Sequence, residues 1–137
     1  MFEGCTSLTT APTLSATTLA QGCYSNMFNG CISLTTAPEL PSTSLVASCY
    51  TQMFNGCTSL TVAPVLPATE LAIYCYTNMF NGCTNLNYIK AMFIRILVTE
   101  CLTDWVNGVA ATGTFVKNSE ATWDVTGTNG IPSGWTV

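Results

Sequence analysis

Met79-Phe80-Asn81-Gly82-Cys83 decides how this chain is read. The same five residues return as Met53–Cys57 and as Met27–Cys31, and Met1-Phe2-Glu3-Gly4-Cys5 is a near copy. Each begins 26 residues after the last. A fixed period of this length marks a stack of supersecondary units, each burying its apolar face on the next.

Aligned on that motif, the repeats fall into columns. Leu8, Leu34, Leu60 and Leu86 form one; Leu14, Leu40, Leu66 and Met92 a second; Leu19, Leu45, Leu71 and Leu97 a third. Ala-Pro recurs at Pro12, Pro38 and Pro64, and Cys-Tyr at Tyr24, Tyr50 and Tyr76. In the third repeat Leu71, Cys75 and Met79 are spaced at i, i+4 and i+8, with Ala72, Tyr76 and Phe80 beside them. That spacing predicts an amphipathic helix with Thr69 as N-cap, Glu70 at its positive end and Gly82 as the left-handed stop. Thr43 and Gly56 bracket the equivalent helix one repeat earlier, and Thr18 to Phe28 forms the first. Ser59 to Pro64 reads as a short extended segment that pairs in parallel with its neighbours. The expected fold is therefore an α/β solenoid, leucine-rich-repeat-like, with four rungs of about 26 residues, each a short parallel strand plus a helix. Residues 1–108 make up that solenoid. Residues 109–137 read as a small C-terminal β cap, because Thr114–Lys117, Ala121–Val125 and Gly134–Val137 alternate with turn residues.

Composition excludes several functions. Three Lys/Arg against seven Asp/Glu, net −4, leave no basic footprint for nucleic acid and no polybasic membrane anchor. The longest apolar stretch, Ala91 to Val98, is interrupted by Arg95 and is too short to span a bilayer. Met1-Phe2-Glu3 lacks the basic start and apolar core of a signal peptide. Histidine is absent, which removes the commonest general base and metal ligand. The acids form no local pair, Ser and Thr have no His partner, and Asn-Gly stands where a helix would end, not at a phosphate-binding helix start. The chain reads as no enzyme, with no cofactor and no metal.

The eight cysteines lie in two columns, Cys5, Cys31, Cys57 and Cys83, and Cys23, Cys49, Cys75 and Cys101. No C-x-x-C occurs, which argues against zinc. Disulfides are permitted if the protein is exported, but a repeated interior slot favours free thiols acting as small apolar filler. The Met27, Met53 and Met79 column reads as core in preference to a Cu(I) ladder. Partial burial against the Phe of the next rung is expected for Tyr24, Tyr50 and Tyr76. Repeated positions that vary in type are the candidate ligand contacts: Thr10, Thr36, Val62 and Tyr88, with Lys90 following Pro12, Pro38 and Pro64 in its column. A solvated, drifting Thr-rich face is the competing reading of the same positions.

As a whole, Met-Phe-Asn-Gly-Cys-Thr-Ser-Leu-Thr, followed by Ala-Pro and Leu-Pro-x-Thr-x-Leu, resembles the BspA-type leucine-rich repeat of Bacteroides surface proteins and of their phages. The stretch from Trp105 to Val137 is similar to the module that closes such proteins. The resemblance implies a right-handed solenoid outside the cell, used for adhesion or protein binding, and carries over no catalytic residue. The expected function is a non-catalytic adhesion module contacting a host protein or glycan, extracellular or at the cell surface. The alternatives are a phage tail or receptor-binding component in the virion, and a purely structural self-assembling unit. The first rung, with nothing covering it, is expected to self-associate.

Overall fold

The computed structural model describes residues 1–137. It corrects the expected architecture. The chain contains no α-helix, and its only strands are β1 (Tyr88–Ala91) and β2 (Thr114–Lys117). An α/β solenoid with a helix on every leucine-rich-repeat rung is therefore not what forms. The 26-residue period survives as stacked layers of turns and extended chain, held together by hydrogen bonds between layers.

What replaces the helix is a ladder of β-turns. In the segment from Val46 to Cys57, alternate N–H groups close turns: Cys49 to Val46, Thr51 to Ser48, Met53 to Tyr50, Asn55 to Gln52 and Cys57 to Phe54. The N–H groups between them point up the stack. Ser48, Tyr50, Gln52, Phe54 and Gly56 donate to the carbonyls of Ile73, Cys75, Thr77, Met79 and Asn81, at 2.8–3.1 Å. Each partner lies 25 residues on, and the pattern repeats from Gly22 to Asn55 and from Tyr76 to Asn107. Every backbone donor from Ser48 to Cys57 is thus satisfied without an i→i−4 bond.

The reason no helix forms lies in the backbone dihedrals. Every fourth residue has positive φ: Gly22, Asn26 and Gly30; Ser48, Gln52 and Gly56; Tyr74, Asn78 and Gly82; Glu100, Asp104 and Gly108. A left-handed residue in each turn interrupts a right-handed helix. The turn unit is four residues long, so it yields the same i, i+4, i+8 apolar spacing as a helical stripe. Two residues in four point inward: Cys49, Tyr50, Met53, Phe54 and Cys57 are all buried. The Gly column is the close-approach point. Cβ atoms added at Gly56 or Gly82 would sit 3.8 and 3.6 Å from the Cα of the glycine one layer below.

Identical residues stack on themselves. Phe2, Phe28, Phe54 and Phe80 lie 5.6, 5.6 and 5.7 Å apart between ring centroids, with planes within 10°. Tyr24, Tyr50 and Tyr76 stack at 5.8 and 6.0 Å. Tyr24 is half-buried as expected, but Tyr50 and Tyr76 are fully buried; the three stack on one another, and Tyr76 also meets Phe93 of the next layer at 6.2 Å. Thiols tie the layers too, since Cys31, Cys57 and Cys83 donate through Sγ to the carbonyls of Phe2, Phe28 and Phe54.

On the opposite side the chain is extended and pairs in parallel. Isolated bridges join Thr10 to Thr36, Val62 to Tyr88 and Leu66 to Ala91, and β1 pairs with β2 from Tyr88↔Thr114 to Ala91↔Lys117. Residues beyond 109 extend the same core. Phe93 stacks on Trp123 at 5.0 Å, and Trp105 meets Phe115 edge-on. Each indole is satisfied: Trp105, Trp123 and Trp135 donate through Nε1 to the carbonyls of Gly130, Phe93 and Ala110. This segment also closes the turn ladder. The upward N–H groups of Asp104 and Val106 bond to Asn129 Oδ1 and the Thr128 carbonyl. Of the three strands expected here, only Thr114–Lys117 forms; 121–125 has no ladder pairing and 134–137 contributes a single bridge at Thr136.

Burial divides the leucine columns. Leu34, Leu60 and Leu86 are 0% exposed, whereas Leu97 is 87% exposed. Leu60→Ala is expected to cost about 2–5 kcal/mol in denaturant unfolding, as a buried large-to-small change does. Leu97→Ala should stay within about 0.5 kcal/mol. Equal losses would contradict the packing described.

Candidate functional site

The extended side of the stack is where the repeat columns drift. Thr10, Thr36 and Val62 are exposed, and Tyr88 is half-buried within β1. Parallel bridges align Thr10 with Thr36 and Val62 with Tyr88, so the structure brings four of the candidate contacts together as two pairs. Lys90 lies two residues along β1, paired with Val116, and its carbonyl accepts the Leu66 N–H. No bridge connects Thr36 to Val62, so the column is interrupted between the second and third layers.

At that interruption the surface opens. A cavity of about 290 Å³ lies between Ala37–Pro41 on one side and Pro64, Val65 and Pro67 on the other. A neighbouring cavity of about 520 Å³ lies between Ala11–Ser15 and the same Ala37–Pro41 segment. Local sequence explains the first. Pro38, Pro41, Pro64 and Pro67 have no N–H and cannot complete a ladder. In the seam below, Thr35 N–H bonds to Thr9 and Ala11 N–H to Thr36. In the seam above, Asn87 N–H bonds to Thr61 and Ala63 N–H to Tyr88. Between the second and third layers, the corresponding Thr61 and Ala37 N–H groups make no backbone bond. Side chains hold this seam instead, with Ser59 Oγ and Thr58 Oγ1 both donating to the Ile32 carbonyl.

Glu39 is the only charged residue lining either cavity, and it is exposed. The candidate list from sequence omitted it, along with Val65, Pro41 and Pro67. The signal was available: Glu39 stands in a column with Thr13, Val65 and Ala91, and is its one charge. Pro12, Pro38 and Pro64 do line the cavities, while Tyr88 and Lys90 do not.

The interior carries thiols and phenols held in their neutral forms. All eight cysteines are free; six are buried, Cys5 is half-buried and Cys23 is exposed. Burial pushes the Cys49 thiol up to about 11 and Cys57 to about 12, and raises Cys31, Cys75, Cys83 and Cys101 as well. Thiols held protonated in this way are poor nucleophiles at neutral pH. The Tyr50 and Tyr76 hydroxyls are buried without a hydrogen-bond partner, and burial also drives their acidity down. No group of three or more His, Cys, Asp or Glu is placed to hold a metal ion. No helix is long and apolar enough to cross a membrane.

The thiol arrangement makes a countable prediction. Denatured protein should titrate with eight free thiols, and native protein with Cys23 quickly and Cys5 slowly. Reductant should leave the melting temperature unchanged; a fall of several degrees would reveal disulfides.

Comparison of the chain with protein-family models, with curated proteins and with solved structures found no match.

Proposed function

We propose that this chain is a non-catalytic binding or adhesion module that contacts a host protein or glycan through its extended face. The observation that carries the reading is the contrast between two sets of columns. The Phe, Gly and Cys columns of the turn ladder keep one residue type through Phe80, Gly82 and Cys83. The column of Thr10 and Thr36 changes to Val62 and then to Tyr88, although the four occupy equivalent places in the repeat. A rigid frame with a variable face is the arrangement that supports recognition in stacked-repeat proteins. Resemblance of the repeat motif to BspA-type surface proteins supports an extracellular or cell-surface location.

The second reading, a phage tail or receptor-binding component of a virion, draws on the same resemblance and on the stiffness of the stack. Stacked rings and a bond from every second N–H in the turn ladder suit a spacer that must not bend.

The test is a screen of the folded domain against arrayed glycans and host surface proteins, repeated with Val62→Asp. Val62 is 51% exposed, so the variant should keep its melting temperature. Any specific ligand should bind it at least about tenfold more weakly, since a desolvated charge at a contact costs well over 1.4 kcal/mol. Ligands that bind both forms equally would place recognition elsewhere on the molecule.

A further inference from the structure

Two unexplained features remain, and they are complementary. The first is the pair of proline-walled grooves flanking Glu39. The second is the segment Arg95-Ile96-Leu97. Leu97 belongs to the column of Leu19, which is buried, and of Leu45 and Leu71, which are half-buried, yet it is 87% exposed. Arg95 stands where the earlier repeats have Thr17, Thr43 and Thr69, and it too is exposed. Glu39 likewise replaces an uncharged residue of its column. The fourth repeat therefore presents a cation two residues from a bare aliphatic side chain, and the second presents a carboxylate in an apolar cleft.

We propose that the Glu39 grooves receive the Arg95–Leu97 segment of a second copy of this chain. In this contact the Arg95 guanidinium meets the Glu39 carboxylate, and the Leu97 side chain enters the cleft between Pro38 and Pro64. Chemistry favours this occupant. The cleft walls are prolyl and aliphatic, with Val65 48% exposed beside them, so they gain by excluding water from an apolar side chain. A sugar would bring hydroxyl groups that these walls leave unpaired. With only three Lys/Arg in the chain, Arg95 is also one of few cations able to answer Glu39. The walls are stiffened by Pro38, Pro41, Pro64 and Pro67, so little order is lost when the cleft is filled.

The two surfaces differ, one groove and one projecting segment, so the contact is heterologous. It propagates from copy to copy unless the rotation between copies closes a ring. The grooves lie beside the ligand column, since Ala11 and Ala37 in their walls follow Thr10 and Thr36.

Sedimentation of the intact chain over a range of concentrations tests the proposal. Average mass should rise with concentration, and high salt should weaken the rise. Leu97→Asp should abolish it without changing the circular dichroism spectrum, because Leu97 touches little in the single chain. E39R and R95E should each weaken association about fivefold or more, and the E39R/R95E double variant should restore it. A monomer at every concentration overturns the proposal, as does association that survives Leu97→Asp or a double variant that fails to recover. Binding of a synthetic Arg-Ile-Leu peptide at Glu39 by a chain that stays monomeric would assign the groove to a foreign segment and overturn it too.

Discussion

Alternate backbone N–H groups of this protein face two ways, and the rest of the structure depends on that division. One set closes a β-turn within the layer, and the other bonds to a carbonyl in the next layer, as Phe54 N–H does to Met79 at 3.0 Å. A helix would spend both sets inside the segment and leave layers to meet through side chains alone. Here the backbone itself is the interface between layers. That fixes the register, stacks identical residues on one another, and sets the close approach of Gly30, Gly56 and Gly82. Burial then follows: once the ladder is in register, the Phe and Cys columns lie inside from Phe28 and Cys31 onward, while Phe2 and Cys5 are half-buried and Cys23 is exposed.

A frame built this way is rigid where it repeats and adjustable where it does not. The turn side carries a regular set of layer-to-layer bonds. The extended side carries fewer, and none between the second and third layers, where the prolines sit. Grooves, the exposed Val62 and Val65, and the lone Glu39 all occur on that looser side. The proposed contact with a second copy lies where the backbone bonding lapses, and the proposed ligand residues pair on either side of it. The last layer shows the complementary need: its upward donors at Asp104 and Val106 are met by Asn129 and Thr128.

Much of this was legible in the residues. The 26-residue period, the inward Leu34, Leu60 and Leu86, and the parallel pairing of the extended segments follow from spacing alone. The helix did not form because period four has two physical origins. Leu71, Cys75 and Met79 fit a helical stripe, but they fit a four-residue turn unit equally well. What distinguishes the two is a second periodicity, residues that tolerate positive φ at the same spacing. Gly22, Asn26 and Gly30 display it openly; Ser48, Gln52 and Tyr74 conceal it, since nothing in those side chains announces a left-handed backbone. At the candidate site, Thr10, Thr36, Val62 and Tyr88 were found by their drift. Glu39 was missed because a single charge in a column is informative only once the cavities beside it are known.

The most direct measurement is of through-hydrogen-bond scalar couplings between amide nitrogen and carbonyl carbon in isotopically labelled protein. The turn ladder predicts couplings from Phe54 nitrogen to Met79 carbonyl carbon and from Met53 nitrogen to Tyr50 carbonyl carbon. A coupling from Phe54 nitrogen to the Tyr50 carbonyl carbon would be the signature of an α-helix, and it would contradict the structure at its foundation.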